Sequence, residues 1–556
     1  MKMNKKRLIT IPSLVTYWVL LAVMVASCTP TASTPTEQQI ATEIGATSTP
    51  APKAEKVLYM AVQDESPINP SAQVWLSGTN IFRLVYDQPV GIGKNGDIIP
   101  SLVEKWEISL DARDYTFYLQ KGITFCDDTP FNAEAFKWNL DRYTNVSTAG
   151  QGLWKSFADK DSVKIVDDYT VQIHFEKPFA TFLLDTVTQG YSIQSPSYVK
   201  SHSSTDDPEA MEWMMDHACG TGPFLLEDWI HDDRVVLVKN PNYWGGSSAS
   251  TRQMPKLDRV VIRIIPDPDV ARLEIESGNV DLWENPPREM LDGIRENLNL
   301  NVMVLPFPKS AYITYDVSKP PFDDIKVRQA LAHAINYDEL IQVAEAGLAP
   351  QLCGMIPVGV DPNLPFDKTL CLYDYDLAKA KELMAQSNSP NGFTVNLMFA
   401  PGRFESFSVA AELIQSNLKE IGITANLVSL EAAAQVAQMA PGQYGLSMMA
   451  WNAGKPDPDE FIGWFYDQNR LPNVEDSWVA VWWDNQEAID LVRNAPSEID
   501  PKKRAEMYDK ANRIAMEEAV YLPLYQGSRI FVLQKNVLNF DYSFFDLWTL
   551  WTVDKN

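Results

Sequence analysis

Five histidines, His174, His202, His217, His231 and His333, are the side chains best suited to move protons or bind a transition metal near neutral pH. None falls in an HExxH or comparable ligand spacing. His174 lies on the polar side of an alternating segment, where contact with solvent is its expected fate. His231-Asp232-Asp233 offers three donors in a row, but consecutive residues do not readily face one ion, and the neighbourhood reads as a turn. No GxSxG elbow, GxGxxG or phosphate loop, or CxxC pair is present. Carboxylate pairs of the glycosidase type stay open, because 73 acidic residues offer many combinations and chain spacing says nothing about them. No catalytic residue, cofactor or metal site is assigned, and the expectation is a protein that is not an enzyme.

The stretch AWNAGKPDPDEF, Ala450 to Phe461, is the other place where residue types converge. Asp457 suits a helix N-cap, Pro458 the first helical position, and Glu460 stands three residues beyond Asp457 as in a capping box. Trp451 opens the stretch, and Trp464, Trp478, Trp482 and Trp483 follow among 16 tryptophans in all. Aromatic faces suit sugar rings and amphipathic ligands, and they also serve as core filler.

The 556 residues suffice for about three or four domains of ~150 residues. The excess of 73 acidic over 47 basic residues gives a net charge of −26, which repels a phosphate backbone and excludes nucleic acid as a partner. The start, MKMNKKRLITIPSLVTYWVLLAVMVASC, has a basic head and an apolar run, as an export signal does. A retained helix is the alternative, since the run approaches the roughly 20 residues that span a bilayer. Its ending, Val25-Ala26-Ser27-Cys28, resembles the lipobox of bacterial lipoproteins. That resemblance implies a signal peptide over 1–27, acylation of Cys28 and a lipid-anchored, extracytoplasmic chain. Residues 28–56, rich in Thr, Pro and Ala, are expected to form a disordered tether reaching roughly 30 Å. Export permits disulfides. Cys353 and Cys371 share one Pro-rich, loop-like stretch and are the expected pair, whereas the pairing of Cys126 and Cys219 is left open.

Strand and helix patterns alternate along the rest, which is the signature of an α/β chain. Tyr169, Val171, Ile173 and Phe175 line one side of a half-buried strand. Val327, Ala330, Leu331, Ala334 and Ile335 make the stripe of one amphipathic helix that Gly347 ends. Val409, Leu413, Leu418 and Ile421 mark a second helix, closed by Gly422 and followed by a β-prone segment.

Several segments together resemble the family 5 extracellular solute-binding proteins, the oligopeptide- and dipeptide-binding subunits of ABC importers. The first runs from Asn95 to Tyr143 and matches at Pro100, Trp106, Tyr115, Phe117, Lys121, Gly122, Phe125, Pro130, Ala133 and Arg142. CGTGPFLLEDW, 219–229, resembles the family's Gly-Thr-Gly-Pro turn, and PPFDDIKVRQALAHAIN, 320–336, is similar nearly residue for residue. Asp128 stands where the family has Gly, and Cys126 where His is common. The resemblance spans about 57–545.

It implies a two-lobed periplasmic-binding-protein fold, type II, cluster C, with an inserted subdomain and two hinge strands. Lobe I would comprise 57–90, 190–305 and 525–556, with 91–189 inserted, and lobe II 310–520. The hinges would lie near PFPKSAYITY and YLPLYQGSRI. The implied role is capture of a peptide-like ligand by hinge closure and delivery to permease subunits with cytoplasmic ATPases, by a monomer. Oligosaccharide binding is the alternative within the family, and an envelope hydrolase the alternative of another class. The resemblance places Trp451, Asn452 and Gly454 in the ligand loop, and Arg403 on a ligand carboxylate, for which a guanidinium is suited. Peptide-binding relatives carry at the position of Gly454 an aspartate that pairs with the ligand ammonium. Ordinary free di- and tripeptides are therefore expected to bind weakly.

Overall fold

The computed structural model describes residues 54–64, 68, 81–93, 96–146, 154, 157–159, 161–246, 252–365, 367–403, 406–439, 444–452, 454–468, 481–542 and 548–556. The expected signal peptide, Cys28 and nearly all of the expected tether lie outside these residues. Among the described residues, no helix is long and apolar enough to cross a membrane.

The strands in chain order are β1 (Val57–Val62), β2 (Val90–Ile92), β3 (Ile98–Pro100), β4 (Val103–Ile108), β5 (Asp114–Leu119), β6 (Val163–Asp167), β7 (Thr170–His174), β8 (Phe224–Ile230) and β9 (Arg234–Lys239). There follow β10 (Arg259–Ile264), β11 (Leu282–Glu284), β12 (Leu300–Thr314), β13 (Phe393–Phe399), β14 (Ile423–Ser429), β15 (Leu446–Asn452), β16 (Leu522–Gln534), β17 (Val537–Leu538) and β18 (Asp554–Lys555). Ten of them form one sheet, in the order β14-β13-β15-β12-β16-β11-β1-β10-β9-β8, while β4-β5-β7-β6 form a separate four-stranded sheet. Parallel neighbours need crossover connections, and the helix Phe407–Lys419 supplies one between β13 and β14.

The apolar patterning gathers around these sheets. Phe117, Phe136 and Phe182 lie in the core of the four-stranded sheet. Leu58, Leu237 and Ile262 belong to the core of the first lobe, and Leu331, Leu397 and Met448 to that of the second. β12 and β16 run through both lobes, so that on β16 Phe531 packs into the first and Tyr525 into the second. Their antiparallel ladder shifts register between the pair Pro306↔Ser528 and the pair Ser310↔Gln526. Within that gap Pro308 has no N–H to donate and Gly527 no side chain, so the regular ladder is interrupted where the strands pass between lobes.

Cys126 and Cys219 are bridged, with Cα atoms 5.2 Å apart, and so are Cys353 and Cys371, at 4.4 Å. The first bridge joins the turn after β5 to the turn at Gly220-Thr221-Gly222. That turn presses on the chain at Val85. A Cβ built on Gly220 would lie 2.2 Å from the Val85 carbonyl oxygen and 2.4 Å from the Tyr86 ring. Thr221 Oγ1 donates to the buried Asp87 carboxylate at 2.9 Å. Gly220→Ala is expected to cost about 1–3 kcal/mol by overpacking. The check is a lower urea midpoint with an unchanged m-value.

Two expected helices differ in detail. The segment ending at Gly347 is not one helix but two, Ile325–Ala334 and Tyr337–Glu345. Asn336 breaks it by capping the second with its side chain, which accepts from the Glu339 N–H. In Phe407–Lys419 the buried side is Phe407, Ala410, Ala411, Ile414 and Leu418, and Val409 is 44% exposed. The small residues Ala410 and Ala411 carry that face, and counting only large apolar residues set the stripe off by part of a turn. The strand β7 buries Val171 and Ile173, with Phe175 just beyond.

Candidate functional site

β15 reads LSMMAWN, and its buried run extends from Leu446 to Trp451, between β13 on one side and β12 on the other. Trp451 pairs with Ser310 and Asn452 with Lys309, so the chain leaves the sheet beside the irregular stretch of β12. The Trp451 ring is buried edge-on against Phe465, with centroids 5.5 Å apart. Asn452 is exposed. Gly454 approaches the other half of the molecule, where a Cβ built on it would lie 3.9 Å from Thr188 Cγ2. Arg403 ends a 3-10 turn, Pro401–Arg403, just after β13, and its side chain lies outside the described residues. The loops of Arg403 and Trp451 thus follow the carboxyl ends of adjacent parallel strands, the edge where open α/β sheets place ligands.

The acids after Trp451 do not act mainly as helix caps. The helix starts at Asp459 and runs to Tyr466, with Pro458 rather than Asp457 in the N-cap position and no side-chain cap. Asp457 accepts from the Asp459 N–H at 2.9 Å, one residue earlier than a capping box requires. Glu460 turns instead toward Lys455, 3.3 Å from its Nζ. The reason is a buried ammonium. Lys455 Nζ is ion-paired with Asp185, and the two side chains are 3% and 5% exposed. Asp185 ends the short helix Phe182–Asp185, whose Phe182 packs in the core of the four-stranded sheet. The pair therefore joins the second lobe to the body on the other side of the cleft. A main-chain bond from Ala180 N–H to Pro496 O, 2.9 Å, follows the same route.

Electrostatics reinforce the arrangement. Burial disfavours the charged form of Lys455, but Asp185, Glu460, Asp457 and Asp459 together outweigh it and hold the ammonium above its ordinary pKa. Burial pushes Asp185 up to about 7 and Asp457 up to about 6, only partly offset by Lys455. Asp459 accepts from Tyr508 OH at 3.2 Å. A second ion pair crosses nearer the hinge strands. Arg288 Nε is 3.1 Å from the fully buried Glu345, and its Nη2 donates to Ser528 O at 2.9 Å. Ser406, three residues past Arg403, donates to Glu345 at 3.0 Å.

The remaining chemistry-bearing residues lie elsewhere. His174 is exposed and 2.7 Å from Asp114, and His231-Asp232-Asp233 forms the turn between β8 and β9, with Asp232 at φ 60°. No group of three His, Cys, Asp or Glu side chains suited to a metal occurs among the described residues. Sequence reading overlooked Lys455 and Asp185. A lone lysine ahead of Asp457, Asp459 and Glu460 was the signal, and its partner across the cleft lies 270 residues away.

Residues 97–473 match the family model "Bacterial extracellular solute-binding proteins, family 5 Middle", more than half of the chain. The chain is a family 5 extracellular solute-binding protein. It is 27% identical over 464 residues to the Probable D,D-dipeptide-binding periplasmic protein DdpA of Escherichia coli K12, covering 83% of this chain and 85% of that one. It is 29% identical over 484 residues to Heme-binding protein A of Haemophilus influenzae, with coverage of 83% and 85%. The Helicobacter pylori periplasmic binding protein DppA, solved with peptide STSA, superposes at a TM-score of 0.77 with 25% identity, over 90% of this chain and 98% of that one. These relatives are binding proteins of transport and not enzymes, and this solute-binding protein shares both their role and their two-lobed type II fold with two hinge strands.

Proposed function

We propose that this solute-binding protein is anchored outside the cytoplasm through acylated Cys28, captures a peptide-like ligand between its lobes by hinge closure, and delivers it to ABC permease subunits. The lobes in this reading are 57–90, 190–305 and 525–556, with 91–189 inserted, and 310–520. Trp451, Asn452, Gly454 and Arg403 contact the ligand. The observation that supports it best is the position of the loop after β15: it starts beside the register shift of the hinge strands and ends in a buried ion pair with the other side of the cleft. Closure driven by a ligand requires that the ligand bind the closed form better than the open one. For a peptide, main-chain pairing supplies affinity that tolerates sequence.

Named relatives of similar closeness bind ligands as different as a D,D-dipeptide and heme, so kinship alone does not select the ligand. A thermal-shift screen of the mature chain against peptide and oligosaccharide panels selects it. A ligand at a hundred times its Kd stabilises by ~2.7 kcal/mol. At least one peptide is expected to do so and to shrink the radius of gyration in solution scattering. A shift by oligosaccharides alone transfers the reading to sugars, and no shift by either panel overturns it.

A further inference from the structure

The cleft already contains a cation that belongs to the chain. Lys455 follows Gly454 directly, and its ammonium is ion-paired with Asp185 from the far side and lies 3.3 Å from Glu460 of its own lobe, while the charges of Asp457 and Asp459 add to the field that holds it. Asp457 and Asp459 are both buried. An acidic pocket at a ligand cleft ordinarily attracts a positively charged group, but this one is filled in the closed form before any ligand is considered. A second ammonium arriving at Gly454 would meet the first at close range in a medium of low dielectric, where like charges repel far more strongly than in water. Gly454 brings no side chain to offset that repulsion. Lys455 is then the repulsive element by which a site rejects one charge class, while the same residue stabilises the closed form.

We propose that Lys455 is a specificity-determining residue: it occupies the acidic pocket between the lobes as a resident cation, so that the ligand group placed at Gly454 is uncharged or anionic and not an ammonium. The proposal rests on the reading of this cleft as the ligand site. It extends that reading from the missing anchor at Gly454 to an active exclusion, with a partner, Asp185, that no local motif includes.

The test is titration calorimetry of the mature wild-type chain and of Lys455→Ala and Lys455→Arg, with alanyl-alanine and N-acetyl-alanyl-alanine as probes. Lys455→Ala is expected to bind alanyl-alanine at least tenfold more tightly than the wild type does. Lys455→Arg keeps the charge and should show no such gain, and the acetylated probe should gain nothing from either change. Should Lys455→Ala fail to unfold cooperatively, Lys455→Gln serves for the same comparison. The proposal is overturned if alanyl-alanine gains nothing from loss of the lysine, if the acetylated probe gains equally, or if Lys455→Arg gains as much as Lys455→Ala. Failure here is separable from failure of the functional reading. A wild type that closes tightly on free-amine peptides overturns only the exclusion. A wild type that responds to neither panel, while Lys455→Ala gains the amine probe, overturns only the transport reading.

Discussion

With N-acetyl-alanyl-alanine, which brings no ammonium to replace the lost one, Lys455→Met should open the closed form far more than Asp185→Asn does, although the two residues are partners in one ion pair. Removing the lysine leaves Asp185, Asp457 and Asp459 buried, with Arg504 as the other cation acting on Asp457. Stranding a buried charge costs about 3–5 kcal/mol, which lowers the ratio of closed to open molecules by roughly 10² to 5 × 10³. Water reaches Asp185 when the lobes part, so the penalty falls on the closed form in particular. Removing the aspartate is a different change. Lys455 keeps Glu460 at 3.3 Å and the two aspartates of its own lobe, and the cost of burying one carboxylate disappears. The expected loss is under tenfold, near the ~1 kcal/mol of an ordinary net interaction. Solution scattering with saturating N-acetyl-alanyl-alanine, together with the Kd of each variant for that probe, distinguishes the two. Equal losses would show that the cross-cleft pair alone governs closure.

Thermal stability is expected to fall as pH rises from 5 to 8. Burial raises Asp185 from 3.8 to about 7, Asp457 from 3.8 to about 6, and Glu284 from 4.5 to about 7. Asp87, buried beneath Thr221, moves in the same direction. A group whose pKa is higher in the folded state binds protons there that the unfolded chain has released. Its contribution is therefore complete below the ordinary carboxylate range and is lost as pH rises through its folded value, here about 6 to 7. Over the whole span from the ordinary carboxylate pKa to pH 7, Asp185 is worth about 4 kcal/mol and Glu284 about 3 kcal/mol, and the decline levels off above pH 7. The groups shifted downward, such as Asp367 and Asp554, act below pH 4 and do not oppose the trend. Differential scanning calorimetry at half-unit steps should show Tm declining toward pH 8, and Asp185→Asn or Glu284→Gln flattening the decline. A Tm that rises over this range would contradict the sign.

The fold was legible because its signals are local or come from family-wide segments: strand alternation at Tyr169 to Phe175, the turn at Gly220-Thr221-Gly222, and the run from Pro320 to Asn336. The site was legible only as a place. AWNAGKPDPDEF could be set on a loop, but capping propensity assigned its acids to a helix start, because that rule sees residues three apart and no others. What the acids do depends on the burial of Lys455, and that burial depends on Asp185, brought in by another sheet. Asn336 was misread for a related reason: an apolar stripe continues across it, while its side chain prefers to cap the next helix. Such competitions between local preference and distant packing are decided by tertiary structure.

The bridge between Cys126 and Cys219 gives the clasp its leverage. Asp185 sits on the body built around the four-stranded sheet, and a covalent rivet fastens that body to the turn against Val85 in the first lobe. In the hinge-closure reading proposed above, a tug transmitted through Lys455 would be passed to the first lobe as a whole, so that the molecule would shut like a jaw on a rigid arm rather than by drawing in a dangling flap.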